Sequence, residues 1–395
     1  MKERRTFKLR WVLIPLAALL LLGAAIWFGY RFYIINRTRT PALEYDPGVW
    51  FELAPEGAVT GAGEPLAGQM RLGSENKVIV FFYGGGISYD EYTAARPYLG
   101  RMMDREPGFY ADSTEGYIPD FCELGIGSRQ PNNPFRDWTL IVLPYTTGDF
   151  HIGTGEFSYT ALDGTEKVLY QLGYSNYRLI MDEAAQYTGS DPEELLIAGW
   201  SAGGYAAAIL AEELMTDYYP AAGHVTICVD SSLLLRDDLA EIARDVWNAP
   251  EEIVSRIKSE NLVVDFLTDL YNTYGEDMTF LYIGSVRDGA LAKYQSYFDT
   301  GVYSVNNWSI WVYTEYLRTM IEELRENIPT IGVYLFDRLP FSFLPWMSRL
   351  TQHTVLETQG AYWNLTAGRS VISWLRDGVE GRTEVLGLEK LGPRR

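Results

Sequence analysis

The sequence predicts an α/β fold, a mostly parallel sheet flanked by helices, preceded by one N-terminal transmembrane helix. Three observations carry this expectation. Short, near-continuous apolar runs alternate with helical stretches along most of the 395 residues, the pattern of strands buried on both faces. Residues 11–30 carry no charge at all. The composition, 47% hydrophobic and 14% aromatic, suits a large core and excludes a disordered chain.

Charge and cysteine content narrow the class further. The chain has 33 Lys+Arg against 52 Asp+Glu, a net charge of −19. So acidic a surface repels a polyanion, so nucleic acid is excluded as a partner. Residues 1–40 hold eight Lys/Arg and one acid, a net of +7, which leaves −26 on the rest. Two cysteines allow one bridge at most, too few for a disulfide scaffold.

Taken in order, residues 1–10 form a basic segment expected to stay cytoplasmic. Residues 11–30 then read as a signal-anchor. At 1.5 Å per residue this stretch would span roughly the 30 Å hydrocarbon layer. Trp11, Trp27 and Phe28 fall where interfacial aromatics belong, and the basic excess precedes them. A cleaved signal peptide, cut near Gly23-Ala24-Ala25, is the competing reading; the apolar run continues past that site to Tyr30. On either reading the acidic part is exported, and on the first it contacts the lipid bilayer through residues 11–30.

Residues 31–60 read as a tether, broken by Thr40-Pro41 and Asp46-Pro47-Gly48. The catalytic domain is expected over 61–380, with β-rich runs at 77–83, 138–145, 195–200, 225–229, 278–286 and 330–336. Between them, residues 309–328 place Ile310, Tyr313, Leu317, Met320, Ile321, Leu324 and Ile328 on one helical face. Residues 248–274 read as a helical insertion, and 381–395 as a tail.

The chemistry centres on one turn. The buried run Leu195-Leu196-Ile197-Ala198 leads straight into Gly199-Trp200-Ser201-Ala202-Gly203-Gly204, and a helix follows. This is the G-x-S-x-G pattern in the strand–turn–helix setting of a nucleophile elbow, the mark of an α/β-hydrolase-type sheet. Ser201 would project from the strand end, and the N–H of Ala202 would face a developing oxyanion. A plain strand-to-helix turn is the bland alternative.

A serine needs a base, and there are three histidines. His224 opens a strand, at the wrong edge of the sheet. His151 follows a strand but precedes Ser201. His353 follows the last strand, as the order serine, acid, histidine requires. For the acid, Asp288 ends the second strand after the nucleophile and is favoured by position over Asp230 and Asp337. Its work would be to hold the His353 imidazole in one tautomer. Gly84-Gly85-Gly86, straight after an early strand, would supply further oxyanion N–H groups; no Gly-Lys-Ser/Thr follows it, so a phosphate loop is disfavoured.

Together these residues resemble the pectin acetylesterase and Notum-like carboxylesterases. The likeness runs from about residue 63 to 363. It takes in Gly84-Gly85-Gly86, Pro144-Tyr145-Thr146-Thr147-Gly148-Asp149-Phe150-His151, Gly173-Tyr174-Ser175-Asn176, the Ser201 elbow, Asp230-Ser231-Ser232, Asp288 and His353. The resemblance implies ester hydrolysis, as removal of O-acetyl groups from a polysaccharide or of an acyl group from a protein. It assigns Ser201, Asp288 and His353 as the triad, and Gly85, Gly86 and Ala202 as oxyanion donors. Asp149 and His151 fall on the segment that lines the pocket in the family. Members often carry cysteines where Ser88 and Thr146 stand here, so Cys122 and Cys228 are left unpaired or as one bridge.

The expected protein is thus a membrane-anchored, extracytoplasmic serine carboxylesterase acting on an acylated glycan or another ester. No metal or organic cofactor is needed. The −26 domain would repel a polyuronate, which points to a neutral polysaccharide. A lipase, thioesterase or peptidase on the same triad is the first alternative. The second is a non-catalytic glycan-binding envelope protein stacking sugars on its 28 Tyr and 11 Trp.

Overall fold

The computed structural model describes residues 10–38, 48–98, 108–114, 123–338, 350–363 and 365–393. Residues 1–9 of the basic segment 1–10, and Cys122, lie outside the described residues.

The long helix α1 (Arg10–Thr38) covers the charge-free stretch. Its apolar side chains from Ile14 to Phe28 are exposed, with Leu21 72% accessible. Among the described residues no helix is long and apolar enough to cross a membrane, so the fold does not bear out the transmembrane part of the expected architecture.

The rest builds on one nine-stranded sheet. Its strands are β1 (Trp50–Leu53), β2 (Gly68–Arg71), β3 (Lys77–Phe82), β4 (Thr139–Leu143), β7 (Glu194–Trp200), β8 (His224–Asp230), β9 (Met278–Ser285), β10 (Gly332–Phe336) and β13 (Val385–Leu386). The spatial order is β1-β2-β4-β3-β7-β8-β9-β10-β13. β2 runs antiparallel to both β1 and β4, and every other pair is parallel. The remaining strands form two small hairpins, β5 (Gly155–Thr160) with β6 (Glu166–Gln171), and β11 (Leu365–Thr366) with β12 (Arg369–Ser370).

All six expected runs are strands, because each is apolar at consecutive positions and so suits a sheet covered on both faces. Ile79, Val80, Leu196, Ile197, Ile227 and Ile283 are fully buried, each side chain contributing roughly 1.5–3 kcal/mol of transfer free energy. The covering helices include α2 (Gly173–Ala184), α3 (Ala202–Ile209), α4 (Leu262–Tyr274), α5 (Gly289–Thr300), α6 (Asn307–Asn327) and α7 (Val371–Val379). α6 matches the expected helix. Asn306 caps it by accepting from the N–H groups of Trp308 and Ser309, which stops the helix from starting earlier.

The ends of the domain differ from the expectation. The tether over 31–60 stops short, since Trp50 and Leu53 are fully buried and β1 pairs with β2. The tail over 381–395 contributes β13, which extends the sheet beside β10. The stretch 248–274 is the ordinary crossover from β8 to β9, made of a short helix (Glu251–Val254) and α4. Both edge strands are too short to give a pattern that local sequence can reveal.

Candidate active site

β3, β7, β8, β9 and β10 are parallel, so their C-terminal ends share one edge of the sheet. Ligands of open α/β sheets bind at that edge. Ser201 stands there between β7 and α3, at φ 53° and ψ −123°. This conformation is unfavourable for a side-chain-bearing residue and persists only where the surroundings impose it. The surroundings are tight. A Cβ on Gly199 would lie 2.1 Å from the Gly203 carbonyl oxygen, and one on Gly203 would lie 2.1 Å from that of Phe82. Only glycine lets strand and helix meet this closely, which is the physical content of the G-x-S-x-G spacing.

His353 and Asp288 come together from the far side of the site. The His353 Nδ1–H donates to Asp288 Oδ2 at 2.6 Å. The other oxygen of Asp288 accepts from the N–H groups of Ala290 and Leu291, both at 2.9 Å, and so caps α5. Asp288 is fully buried, a placement a carboxylate tolerates because each oxygen has charged or dipolar partners. The loop carrying His353 is pinned beside it, as the Thr351 N–H donates to the Arg287 carbonyl at 2.9 Å.

Ser201 and His353 line the same cavity of about 910 Å³, together with Gly85 and Gly86. The Gly85 carbonyl accepts from the Ala111 N–H at 2.8 Å, and that of Gly86 accepts from the Tyr145 hydroxyl at 3.0 Å. In a trans peptide the N–H points opposite to the C=O, so the Gly86 N–H is turned away from Ala111. Ala202 opens α3, where helical N–H groups have no partner within the helix. Among the described residues, the N–H groups of Gly85, Gly86 and Ala202 are uncommitted donors.

Asp149 and His151 do not line this cavity. Both are buried under the glycine loop. Asp149 accepts from the Thr147 hydroxyl at 2.6 Å and the N–H groups of His151 and Gly173 at 3.1 and 2.7 Å. His151 Nε2 bonds to the Tyr83 carbonyl at 2.8 Å. Burial pushes the Asp149 carboxyl up to about 6 and the His151 imidazole down to about 4. Their role here is structural, and the family's pocket-lining segment does not transfer these two residues to the cavity.

The other candidates also separate. His224 bonds to Thr279 at the opposite edge, 3.0 Å away. Asp337 pairs with Lys390 at 2.9 Å. The Asp230 carboxylate accepts from the N–H groups of Val355 and Leu356, each at 2.8 Å, and not from a histidine. Cys228 is buried and unpaired in β8.

Sequence reasoning missed Glu357, which is almost fully buried and accepts from the Thr354 hydroxyl. Nothing in the local pattern marks it; only its place four residues after His353 does. Burial, then the Asp230 charge, raises its carboxyl to about 7. Burial also raises Asp230, to about 6, against its N–H donors and the His353 charge. For His353 burial acts downward, but Asp288, Asp230 and Glu357 outweigh it and the net shift is upward. Among the described residues no cluster of His, Cys, Asp and Glu has the arrangement to hold a metal ion.

A serine on a sharp strand–helix turn, a carboxylate–imidazole pair and free backbone donors around one cavity define the class: a hydrolase-type α/β fold equipped for acyl transfer. Residues 70–264 match the pectinacetylesterase family. Over that segment the chain is similar to the pectinacetylesterase carboxylesterases, enzymes acting on ester bonds. No curated protein matches the chain. Among solved structures it is similar to two crystal forms of the Wnt deacylase Notum from Drosophila. The first has 17% identity and a TM-score of 0.57, covering 85% of this chain and 93% of that one. The second has 18% identity and a TM-score of 0.56, covering 84% and 93%. At this identity the likeness is one of fold.

Proposed function

We propose that the protein is a serine esterase that removes O-acetyl groups from a neutral extracellular polysaccharide. The observation that carries the reading is the 2.6 Å His353–Asp288 bond beside a cavity that Ser201 also lines. With Nδ1 committed to Asp288, His353 has Nε2 left to take a proton. Ser201 Oγ would attack the ester carbonyl as its proton passes to Nε2. The oxyanion would rest on the N–H groups of Gly85, Gly86 and Ala202. Collapse would expel the alcohol, which receives that proton, and water would then release the acid by the same steps.

The cavity wall favours a short acyl group on a hydroxyl-rich carrier. Among the described residues it includes Tyr98, Tyr110, Tyr159, Tyr294 and Tyr303, with Leu162 as the single leucine and no valine, isoleucine or methionine. Tyrosines suit sugar rings, with an apolar face and a polar tip, whereas a long acyl chain would need aliphatic walls. Among the described residues, Arg96, Lys167 and Lys293 outnumber Asp112 and Asp163 by one, so the cavity shares none of the overall acidity.

In this reading the acidic domain works outside the cytoplasm, where a polysaccharide substrate is met.

Labelling with a fluorophosphonate tests the reading: wild type should react and Ser201→Ala should not. Acetate release should then be greatest from neutral acetylated glycans, above acetylated polyuronates, long-acyl esters and peptides. A Ser201→Ala variant that still labels or still cleaves p-nitrophenyl acetate would overturn it.

A further inference from the structure

We infer that Asp230 is a positioning residue that holds the nucleophile turn and the histidine loop in register. The inference rests on the proposed roles of Ser201 and His353. Asp230 ends β8 directly beside Trp200 at the end of β7. Its carbonyl accepts the Ser201 N–H at 2.8 Å. Two residues on, the Ser232 hydroxyl donates to the Ser201 carbonyl at 2.6 Å. Both backbone polar groups of Ser201 are thus held by the Asp230-Ser231-Ser232 segment.

The same segment reaches the base. Asp230 Oδ2 takes the N–H groups of Val355 and Leu356 at 2.8 Å each, two and three residues after His353. Its Oδ1 accepts the Ser231 hydroxyl at 2.9 Å. Ser231 stands at φ 54°, a conformation that a side-chain-bearing residue adopts only when its neighbours compel it. Its N–H is tied to the Ile283 carbonyl at 2.8 Å, close to where β9 leads into Asp288. The fully buried Asp230 carboxylate thus ties to the histidine loop a segment whose backbone and Ser232 hydroxyl hold the Ser201 turn and the end of β9.

A carboxylate in this place serves geometry because its donors are backbone N–H groups, which cannot relocate without moving the loop. Proton transfer from Ser201 to His353 depends on sub-ångström placement, and a 1 Å displacement can cost about 100-fold in rate. Asp230 touches neither substrate nor the reacting atoms, so its effect is on turnover and not on binding.

The test uses p-nitrophenyl acetate with the full chain. Asp230→Ala should lower kcat by about 100-fold with KM within about twofold of wild type and a folded, cooperatively melting protein. Asp230→Asn keeps one oxygen that can accept both N–H groups and an amide that can donate to Ser231. It should recover kcat to within about tenfold of wild type. A folded Asp230→Ala enzyme with unaltered kcat would overturn the inference, as would a folded Asp230→Asn no better than Asp230→Ala. Should Asp230→Ala fail to fold, Ser232→Ala decides: a kcat about tenfold lower at unchanged KM supports the clamp, and an unchanged kcat refutes it. An unlabelled, inactive wild type would instead sink the proposed function itself.

Discussion

His353 Nδ1 and Asp288 Oδ2 lie 2.6 Å apart, while the other oxygen of the same carboxylate caps helix α5. One side chain therefore fixes both the start of a helix and the orientation of an imidazole. Replacing Asp288 by Asn keeps the cap, since an amide oxygen can still accept. It also turns an N–H₂ donor toward Nδ1 and favours the wrong tautomer. Asp288→Asn should melt near the wild-type temperature yet lose about 10⁴-fold in kcat, the cost expected of a misoriented base. A loss under tenfold would show that Asp288 is not the orienting acid.

The pH dependence of turnover follows from the acids around His353. The base must be neutral to accept a proton, so kcat/KM falls as pH drops through its pKa. With the net shift upward, the acid limb should have its midpoint above the ordinary imidazole value of 6.5. Glu357→Gln removes one of the charges holding the proton on, and the limb should move to lower pH. An unchanged midpoint would remove Glu357 from the electrostatics of the site.

Glycine 84 offers a steric test of the oxyanion loop. A Cβ there would lie 2.4 Å from the Trp200 carbonyl oxygen, 2.7 Å from Ser201 Cβ and 2.9 Å from the Ala202 nitrogen. Gly84→Ala must push the glycine loop away from the elbow. With donors displaced, kcat should fall by about 100-fold or more, and the rate of fluorophosphonate labelling should fall with it. Wild-type labelling by Gly84→Ala would mean that the loop contributes no donors.

Stability should decline as pH rises. Folded-state pKa values of about 6 for Asp149 and Asp230 and about 7 for Glu357 lie above their ordinary values of 3.8, 3.8 and 4.5. A raised group stabilises the fold below its unfolded pKa and loses that contribution as pH climbs through the folded one. For Asp149 the contribution is on the order of 3 kcal/mol. His353, raised as well, acts in the same direction. His151, lowered from 6.5 to about 4, opposes them, since its contribution is lost on acidification. The three acids and His353 outweigh it, so the thermal midpoint should be higher at pH 5 than at pH 8. Calorimetry giving the reverse order would refute this balance.

Much of this was legible in the chain because it is written in local spacing. Consecutive apolar residues predict six of the seven inner strands, and only β2, with its mixed Gly68-Gln69-Met70-Arg71, escapes them. The glycines flanking Ser201 announce a turn that only glycine can make, and chain order selects His353 over His151. One local signal went unread. Asp163-Gly164 between alternating runs is a hairpin signature, and hairpin β5–β6 carries Tyr159 and Lys167 to the cavity wall.

By itself, then, the sequence determined six of the sheet's seven inner strands, the elbow and the candidates proposed as base and acid, since each rests on periodicity or on residue order. Tertiary structure alone decided that Asp149 and His151 lie beneath the site, that Trp50–Leu53 and Val385–Leu386 close the sheet, and that Asp230 and Glu357 crowd around His353. Those outcomes depend on which backbone donors reach a side chain across more than 100 residues of chain, as Val355 and Leu356 reach Asp230. No local pattern encodes such distances; packing sets them.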